Sequence, residues 1–199
     1  MIYLVRHGET AWNLIRRRQG CLDSPLTERG VAQAEALGRY LRKLLNGDAV
    51  QISSSPLGRA MSTATIIAEH LGIDKESIVV EPLLAELHQG HWQGLSGAQI
   101  DERFPGARQK RAANKWDYVI PGGESYAQVY DRAASWLATV PEEQLLIAAT
   151  HEMISRTIQG AYCQLDPPHI LALNHPHHII YRLDEGRIRE IICDQISTS

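Results

Sequence analysis

The alternation of apolar and polar residues along the first half of the chain predicts strands followed by helices. A short apolar run covers residues 2–5, and residues 27–45 carry apolar side chains three or four positions apart, which is one face of a helix. Thr27 is suited to cap that helix, since its hydroxyl can accept a hydrogen bond from a free backbone N–H. This part of the chain therefore predicts a strand, a loop and an amphipathic helix.

The next segment repeats the pattern. Residues 49–55 form a brief strand that ends in serines, and a helix is expected to follow from Pro56, with Ser55 as its cap. Gly72 is placed to end this helix, because glycine adopts the left-handed conformation that helix ends often need. Residues 77–83 then predict a third strand.

The second half of the chain continues the alternation. A helical pattern spans residues 126–137, an almost wholly apolar strand spans residues 144–150, and another helix follows at residues 151–162. Residues 177–193 read as two strands around a turn, which predicts a C-terminal β-hairpin near the sheet edge. Residues 88–123 are rich in Gly, Trp, Arg and Gln, with a short helical pattern at 98–104, and predict a loop-rich flap over the site.

These elements together predict an α/β fold. Apolar strands separated by helices are typical of a mostly parallel central sheet with helices on both faces, a three-layer sandwich. A chain of 199 residues with 44% hydrophobic residues can bury one core, so residues 1–199 are expected to form a single domain.

Composition narrows the range of partners. The net charge is −3, so the chain has no overall basic field for nucleic acid or a membrane surface, and neither is expected as a partner. Cys21, Cys163 and Cys193 are odd in number and lack a C-x-x-C pair, which argues against a disulfide framework and a thiolate zinc site. With no apparent leader or membrane span, a cytoplasmic protein is expected. The sequence does not indicate an oligomeric state.

The residues that follow the predicted strands are the first indication of function. Arg6 and His7 follow the first strand, Arg59 lies in the helix after the second, Glu86 comes after the third, and His151 follows the fourth. In open α/β sheets the ligand crevice lies outside the carboxyl ends of the strands, so these five side chains are expected to converge.

This set of side chains favours phosphate chemistry. Two guanidinium groups and a helix start can hold a phosphate, a neutral imidazole can attack phosphorus, and a carboxylic acid can protonate the leaving oxygen. His7 is the expected nucleophile, and Glu86 the expected proton donor. Gly8 is interpreted as allowing the backbone to approach the ligand.

The chain resembles the histidine phosphatase superfamily, the phosphoglycerate-mutase-like enzymes. The resemblance spans nearly the whole chain and rests on ordered motifs at family-like separations. They read LVRHGET.WN, RRRQGCLDSPLTERG, SSPLGRAMSTA, LAELHQGHWQG, PGGES and LLIAATHE.

The resemblance implies roles for individual residues. It makes His7 the phosphorylated nucleophile and Glu86 the proton donor, and it implies no metal and no cofactor. The phosphoryl oxygens would be held by Arg6, Arg59 and His151. Asn13 would contact the phosphate, and Gln19 and Gly20 would lie near the substrate. Arg17 would lie behind the residues that touch the substrate and support them.

One position departs from the family pattern. The superfamily commonly has glycine after the second histidine, where this chain has Glu152. A carboxylate facing a bound phosphate would repel it. The alternative is a side chain that points outward, since Glu is favoured in the first turn of a helix.

Three further clusters have simpler interpretations. The histidines near the C-terminus match no common zinc spacing, so no metal role is assigned to them. The run Arg16 to Arg18 is read as a solvated loop that could also attract a polyanionic substrate. Trp92, Trp116 and Tyr118 are expected to pack within the flap. The C-terminal histidines without an assigned metal role are His169, His175, His177 and His178.

Three functions remain open from the sequence. The first is a phosphatase that hydrolyses a small phosphorylated metabolite without a metal. The second is a bisphosphoglycerate-dependent phosphoglycerate mutase, and the third is a catalytically weak protein that binds phosphorylated ligands. Fewer than thirty residues separate Trp92 from Pro121, which is shorter than the corresponding segment of such mutases and favours hydrolysis.

Overall fold

The computed structural model describes residues 1–193, and its centre is a six-stranded sheet. The strand order is β3-β2-β4-β1-β5-β6. Strands β1 to β4 run parallel to one another, and β5 is antiparallel to both β1 and β6. The strands are β1 (Ile2–Arg6), β2 (Gln51–Ser54), β3 (Val79–Val80), β4 (Leu146–Thr150), β5 (Ile179–Asp184) and β6 (Arg187–Ile192). The predicted α/β fold, the mostly parallel sheet and the hairpin at its edge are confirmed.

Eight helices and three short 3-10 turns connect the strands of the described chain. The helices are α1 (Ala11–Leu14), α2 (Glu28–Leu45), α3 (Gly58–Leu71), α4 (Gly97–Arg103), α5 (Ala107–Ala113), α6 (Tyr126–Leu137), α7 (Glu152–Tyr162) and α8 (Pro167–Ala172). The turns cover Lys75–Ser77, Pro82–Leu84 and Gly90–Trp92.

The two faces of the sheet bury separate hydrophobic cores. Successive side chains of a strand point to opposite faces, so Leu4 joins the core under α6 and α7, whereas Val5 joins the core under α2 and α3. Both side chains are fully buried. The three-layer arrangement predicted from the near-continuous apolar strands is therefore confirmed.

Helix α3 starts later than predicted. Thr27 caps α2 as expected, and Gly72 ends α3 in the left-handed conformation with φ +70°. Ser55, however, does not cap α3, because Pro56 and Leu57 remain outside the helix and Leu57 occupies the cap position. The free N–H groups at the helix start are instead bound by a distant side chain, as described below.

The third strand and the flap also differ from the sequence-based expectation. Strand β3 has two residues, Val79 and Val80, because a 3-10 turn begins at Pro82, which has no N–H for the ladder. The segment 88–123 holds two helices, α4 and α5, where one was expected. Helix α5 buries none of its residues, so its sequence carries no apolar stripe that could have predicted it.

None of the helices that the structure describes combines the length and the apolar character needed to cross a lipid bilayer.

Candidate active site

The carboxyl ends of β1 and β4 bring the two predicted site histidines together. The strands are parallel neighbours with Arg6 opposite Thr150, so the next residues, His7 and His151, leave the sheet side by side. Their ring centroids are 5.1 Å apart. The His7 backbone N–H also donates to the Thr150 carbonyl at 3.0 Å, which extends the ladder to the site itself.

The imidazole of His7 is held in one tautomer. Its Nδ1 lies 2.7 Å from the Gly8 carbonyl oxygen, an acceptor, so Nδ1 carries the proton and Nε2 keeps its lone pair. Burial, reinforced by the positive charges of Arg6 and Arg59, holds the pKa of His7 well below its usual value. His7 is therefore neutral near pH 7, with an imidazole nitrogen free to act as a nucleophile.

His151 is fully buried beside it. Its Nε2 lies 2.8 Å from the Ser55 hydroxyl, and its Nδ1 has no hydrogen-bond partner in the described chain. Burial and the positive charge of Arg59 lower the pKa of His151 well below its usual value. Ser55, which does not cap α3, thus orients the second histidine.

Gly8 lies where two backbone segments come very close together. A Cβ at this position would lie 2.1 Å from the Gly30 carbonyl oxygen, at the start of α2. The missing side chain therefore allows two backbone segments to touch, and the approach of a ligand to Gly8 stays a prediction. The Gly8 N–H donates to the Thr63 hydroxyl at 3.1 Å, which fixes the turn after β1 against α3.

Arg59 is held by the loop that precedes α2. Its Nη2 donates to the Gly20 carbonyl at 2.7 Å, and its Nη1 donates to Leu22 and to Asp23 Oδ1 at 2.8 and 2.9 Å. Asp23 also accepts the N–H of Gly58 at 2.6 Å and that of Arg59 at 3.3 Å, so it caps α3 from outside the helix. Sequence reasoning missed this role of Asp23.

Arg6 lines the site pocket and contacts Glu152 there. Its Nη1 donates to the His175 carbonyl at 2.9 Å and forms an ion pair with Glu152 Oε2 at 3.1 Å, and Glu152 also pairs with Arg156. Of the two orientations left open for Glu152, the structure shows the inward one, because Glu152 lines the site pocket and pairs with Arg6. The guanidinium attracts the carboxylate more strongly than the helix dipole alone would orient it.

Glu86 is buried at the start of α7. Its Oε1 accepts the N–H groups of Leu87 and Ile154 at 2.9 and 3.2 Å, and its Oε2 accepts that of Met153 at 3.2 Å. The carboxylate is thereby fixed on the wall of the pocket. Because a carboxyl oxygen has two lone pairs, Oε2 can also carry a proton.

Arg132 on α6 holds the loop around Glu86 in place. Arg132 donates to the Leu83 and Ala85 carbonyls at 2.7 and 2.8 Å, and it pairs with Glu124 at 3.1 Å. Glu124 in turn accepts the N–H of His88 at 2.8 Å. Arg132 is a second residue that sequence reasoning missed, since the two carbonyls that it binds lie almost fifty positions earlier in the chain.

The remaining predicted residues border the same cavity, which measures about 130 Å³ and is called the catalytic pocket below. Asn13 forms a capping box with Thr10 through its Oδ1, and Gln19 is buried with no partner for its Oε1 within residues 1–193. Arg17 lines the pocket too, with its guanidinium carbon 5.6 Å from the Trp12 ring centroid, so it does not lie behind the site as expected. The lining residues are Arg6, His7, Asn13, Arg17, Arg18, Gln19, Gly20, Arg59, Glu86, Gln89, Glu152 and Met153.

Two of the C-terminal histidines support the site. His177 Nδ1 donates to the His7 carbonyl at 2.6 Å, and its ring centroid lies 5.6 Å from that of His7. His175 is fully buried, and its carbonyl binds Arg6. Burial lowers the pKa of each to about 3. The sequence spacing of these histidines carries no signal for this role, and the described residues hold no group of side chains arranged for a metal ion.

The chain is similar to a known protein family over almost its whole length. The sequence model of the histidine phosphatase superfamily (branch 1) matches residues 2–191. A protein of Salmonella paratyphi C named "Probable phosphoglycerate mutase GpmB" is 41% identical over 141 residues, which cover 71% of this chain and 63% of that protein. The matched part therefore spans less than two thirds of that relative.

Two solved structures resemble this chain along almost all of its length. The mycobacterial glucosyl-3-phosphoglycerate phosphatase in complex with VO3 has a TM-score of 0.78 and 31% identity, with 96% of each chain covered. YhfR from Bacillus stearothermophilus has a TM-score of 0.76 and 30% identity, with 96% of this chain and 95% of that chain covered.

Proposed function

Since the chain belongs to the histidine phosphatase superfamily, we propose that it hydrolyses a phosphomonoester through a phosphohistidine on His7. The observation that carries the proposal is the tautomer of His7. Its Nδ1–H is bound by the Gly8 carbonyl, so the lone pair of Nε2 is available for attack on phosphorus. The lowered pKa keeps that lone pair free of a proton at neutral pH.

In the first step, His7 Nε2 forms a bond to phosphorus while the bond from phosphorus to the leaving oxygen breaks. Glu86 donates its proton to that oxygen, so the leaving group departs as an alcohol. Arg6, Arg59 and His151 are proposed to hold the phosphoryl oxygens, because their Nε and Nδ1 atoms are buried without partners in the described chain. Guanidinium groups supply the positive charge, so the proposed reaction uses no metal.

In the second step, water attacks the phosphorus and the bond to His7 Nε2 breaks. Glu86, now a carboxylate, takes the proton from the water, and inorganic phosphate leaves. Asn13, Gln19 and Gly20 are proposed as substrate contacts, since they border the pocket in which this exchange takes place. A small phosphorylated metabolite is the proposed substrate class.

A phosphoglycerate mutase is the second candidate. The name of the Salmonella relative favours it, and a mutase would share the first step and pass the phosphoryl group to a second substrate instead of water. Measurement of inorganic phosphate released from 3-phosphoglycerate, together with 2-phosphoglycerate formed, separates the two activities. Phosphate release without isomerisation is expected.

The phosphatase proposal is tested with p-nitrophenyl phosphate in the presence of a chelator. Wild-type protein should release p-nitrophenol and His7→Ala should not, whereas His169→Ala should retain full activity because His169 is exposed on α8. Equal rates for wild type and His7→Ala would overturn the mechanism. A wild-type protein that binds inorganic phosphate but shows no turnover would instead be a phospho-ligand binding protein.

A further inference from the structure

A second cavity of about 270 Å³, called the flap cavity here, adjoins the catalytic pocket. Arg18 lines both cavities, so the two lie next to each other at this side chain. Helix α5 and the residues just after it form much of the wall. The lining residues are Arg18, Trp92, Arg108, Arg111, Ala112 and Lys115.

Every polar side chain that lines the flap cavity is a hydrogen-bond donor. Arginine, lysine and the indole N–H of tryptophan donate and do not accept. The indole Nε1 of Trp92, a residue only 1% exposed, and Nη2 of Arg111 are both buried without a partner in residues 1–193. A buried donor without an acceptor is costly, so these two groups indicate a ligand that brings acceptor oxygens.

The charges in the flap cavity are only partly balanced. Arg108 pairs with Asp101 at 2.7 Å, whereas Arg18, Arg111 and Lys115 form no ion pair with another described residue. Burial lowers the pKa of each of these three groups. Such clustered cations are unfavourable unless an anion joins them.

Aromatic rings offset part of this cost but leave the positive charge in place. The Arg111 guanidinium carbon lies 5.9 Å from the ring centroids of both Trp92 and Tyr126, and Lys115 Nζ lies 5.4 Å from that of Tyr126. Cation–π contacts of this kind orient a cation without neutralising it. The cations are therefore held in place and remain able to attract an anion.

We propose that the flap cavity binds a second anionic group, a carboxylate or a phosphate, on the same substrate whose phosphomonoester occupies the catalytic pocket. This inference rests on the phosphatase proposal and narrows its substrate class. The second anion would lie on the leaving group and would bind Arg18, Arg111 and Lys115, with the Trp92 N–H as a further donor. Substrates with a single phosphate and a neutral leaving group would lack these contacts.

Matched substrate pairs test the inference. In two pairs the members differ by a carboxylate in place of a CH₂OH group, namely 3-phosphoglycerate against glycerol 3-phosphate and 6-phosphogluconate against glucitol 6-phosphate. In a third pair, fructose 1,6-bisphosphate against fructose 6-phosphate, the added anion is a phosphate. We expect kcat/KM to be at least about tenfold higher for the more anionic member of one carboxylate pair or of the bisphosphate pair, since charge-assisted hydrogen bonds are strong. The pair that shows this preference identifies the anion.

Substitutions then locate the preference in the flap cavity. Arg111→Gln and Lys115→Gln should each reduce the kcat/KM ratio of that pair by about threefold or more, because each removes one cation from the cavity. Lys110→Gln is the matched control, since Lys110 lies on α5 next to Arg111 but is exposed and does not line the cavity. It should leave the ratio unchanged.

The outcomes separate this inference from the phosphatase proposal. Ratios near one in all three pairs, with steady hydrolysis of p-nitrophenyl phosphate, would overturn the second anion site and leave the phosphatase intact. A preference that survives both Arg111→Gln and Lys115→Gln would also overturn it. Failure to hydrolyse any substrate, p-nitrophenyl phosphate included, would overturn both.

Discussion

The carboxylate of Glu152 lies 3.1 Å from the guanidinium of Arg6, inside the pocket where a phosphoryl group is proposed to bind. The Arg6 guanidinium would therefore bind two anions, the Glu152 carboxylate and the phosphoryl group. Because the carboxylate both engages Arg6 and repels a phosphate dianion, Glu152 is expected to weaken phosphate binding. Superfamily members with glycine at this position lack the competing carboxylate.

The substitution Glu152→Gln should strengthen substrate binding. It removes the negative charge while keeping the size of the side chain, so the KM for p-nitrophenyl phosphate and the inhibition constant of inorganic phosphate should each fall by about three- to tenfold, or on the order of 1 kcal/mol. Steady-state kinetics with phosphate as inhibitor provide the check. Glu102→Gln, an exposed carboxylate on α4, is the control. Unchanged constants in Glu152→Gln would show that the carboxylate does not compete for Arg6.

Asp23 should contribute to both stability and substrate binding. It accepts two N–H groups at the start of α3 and also pairs with Arg59, so Asp23→Ala should lower the free energy of unfolding by about 1–2 kcal/mol. Arg59 should also lose its carboxylate partner while it keeps the Gly20 and Leu22 carbonyls, so its orientation is less firmly held and the KM should rise. Urea unfolding and steady-state kinetics measure the two effects. Asp23→Asn keeps an acceptor oxygen and should recover most of the stability, and equal losses in both variants would argue against the capping role.

Gly30 should be intolerant of a side chain. A Cβ there would lie 2.0 Å from the Glu9 carbonyl oxygen, a backbone contact that no rotamer change can relieve. Gly30→Ala should therefore destabilise the fold by about 3 kcal/mol or more, by thermal or urea unfolding. In Gly38→Ala, on the same helix, the new Cβ would meet the His70 side chain, which can move, so a smaller loss is expected. Similar stability of Gly30→Ala and wild type would contradict the close backbone approach.

Stability should depend on pH through the buried histidines. The pKa values of His7, His151, His175 and His177 are lowered in the folded protein, to about 3 for the last two. Below about pH 6.5 the unfolded chain binds protons at these sites and the folded chain does not. Their contribution to stability is thus complete above pH 6.5 and is lost as the pH falls from there towards about 3.

Each such histidine should add up to about 1.4 kcal/mol per pH unit to the slope of stability against pH. Urea unfolding at pH 7, 6 and 5 measures that slope before most carboxylates titrate. His177→Asn, which retains an N–H donor for the His7 carbonyl, should reduce the slope by one histidine's contribution. A stability that stays constant from pH 7 to pH 5 would contradict the neutral state of these residues.

The sequence alone determined the order of the strands and of the long helices α2, α3, α6 and α7, and the type of sheet. The apolar faces of α2 and α6 are periodic and β4 is almost wholly apolar, and burial of these surfaces against common cores leaves few arrangements open. The positions of His7 and His151 also followed from the sequence. Parallel strands place their carboxyl ends at one edge of the sheet, so residues that follow those strands meet there.

Tertiary structure alone decided which side chains hold those residues in place. Asp23 reaches α3 across 35 positions, and His177 reaches His7 across 170. The cluster of cations in the flap cavity was also decided by the tertiary structure. Helix α5 has no apolar stripe, so the sequence pattern did not predict the helix that carries Arg108 and Arg111. Periodicity reports which face of an element is buried, whereas a hydrogen bond or an ion pair depends on atoms that only the folded chain brings within about 3 Å of each other.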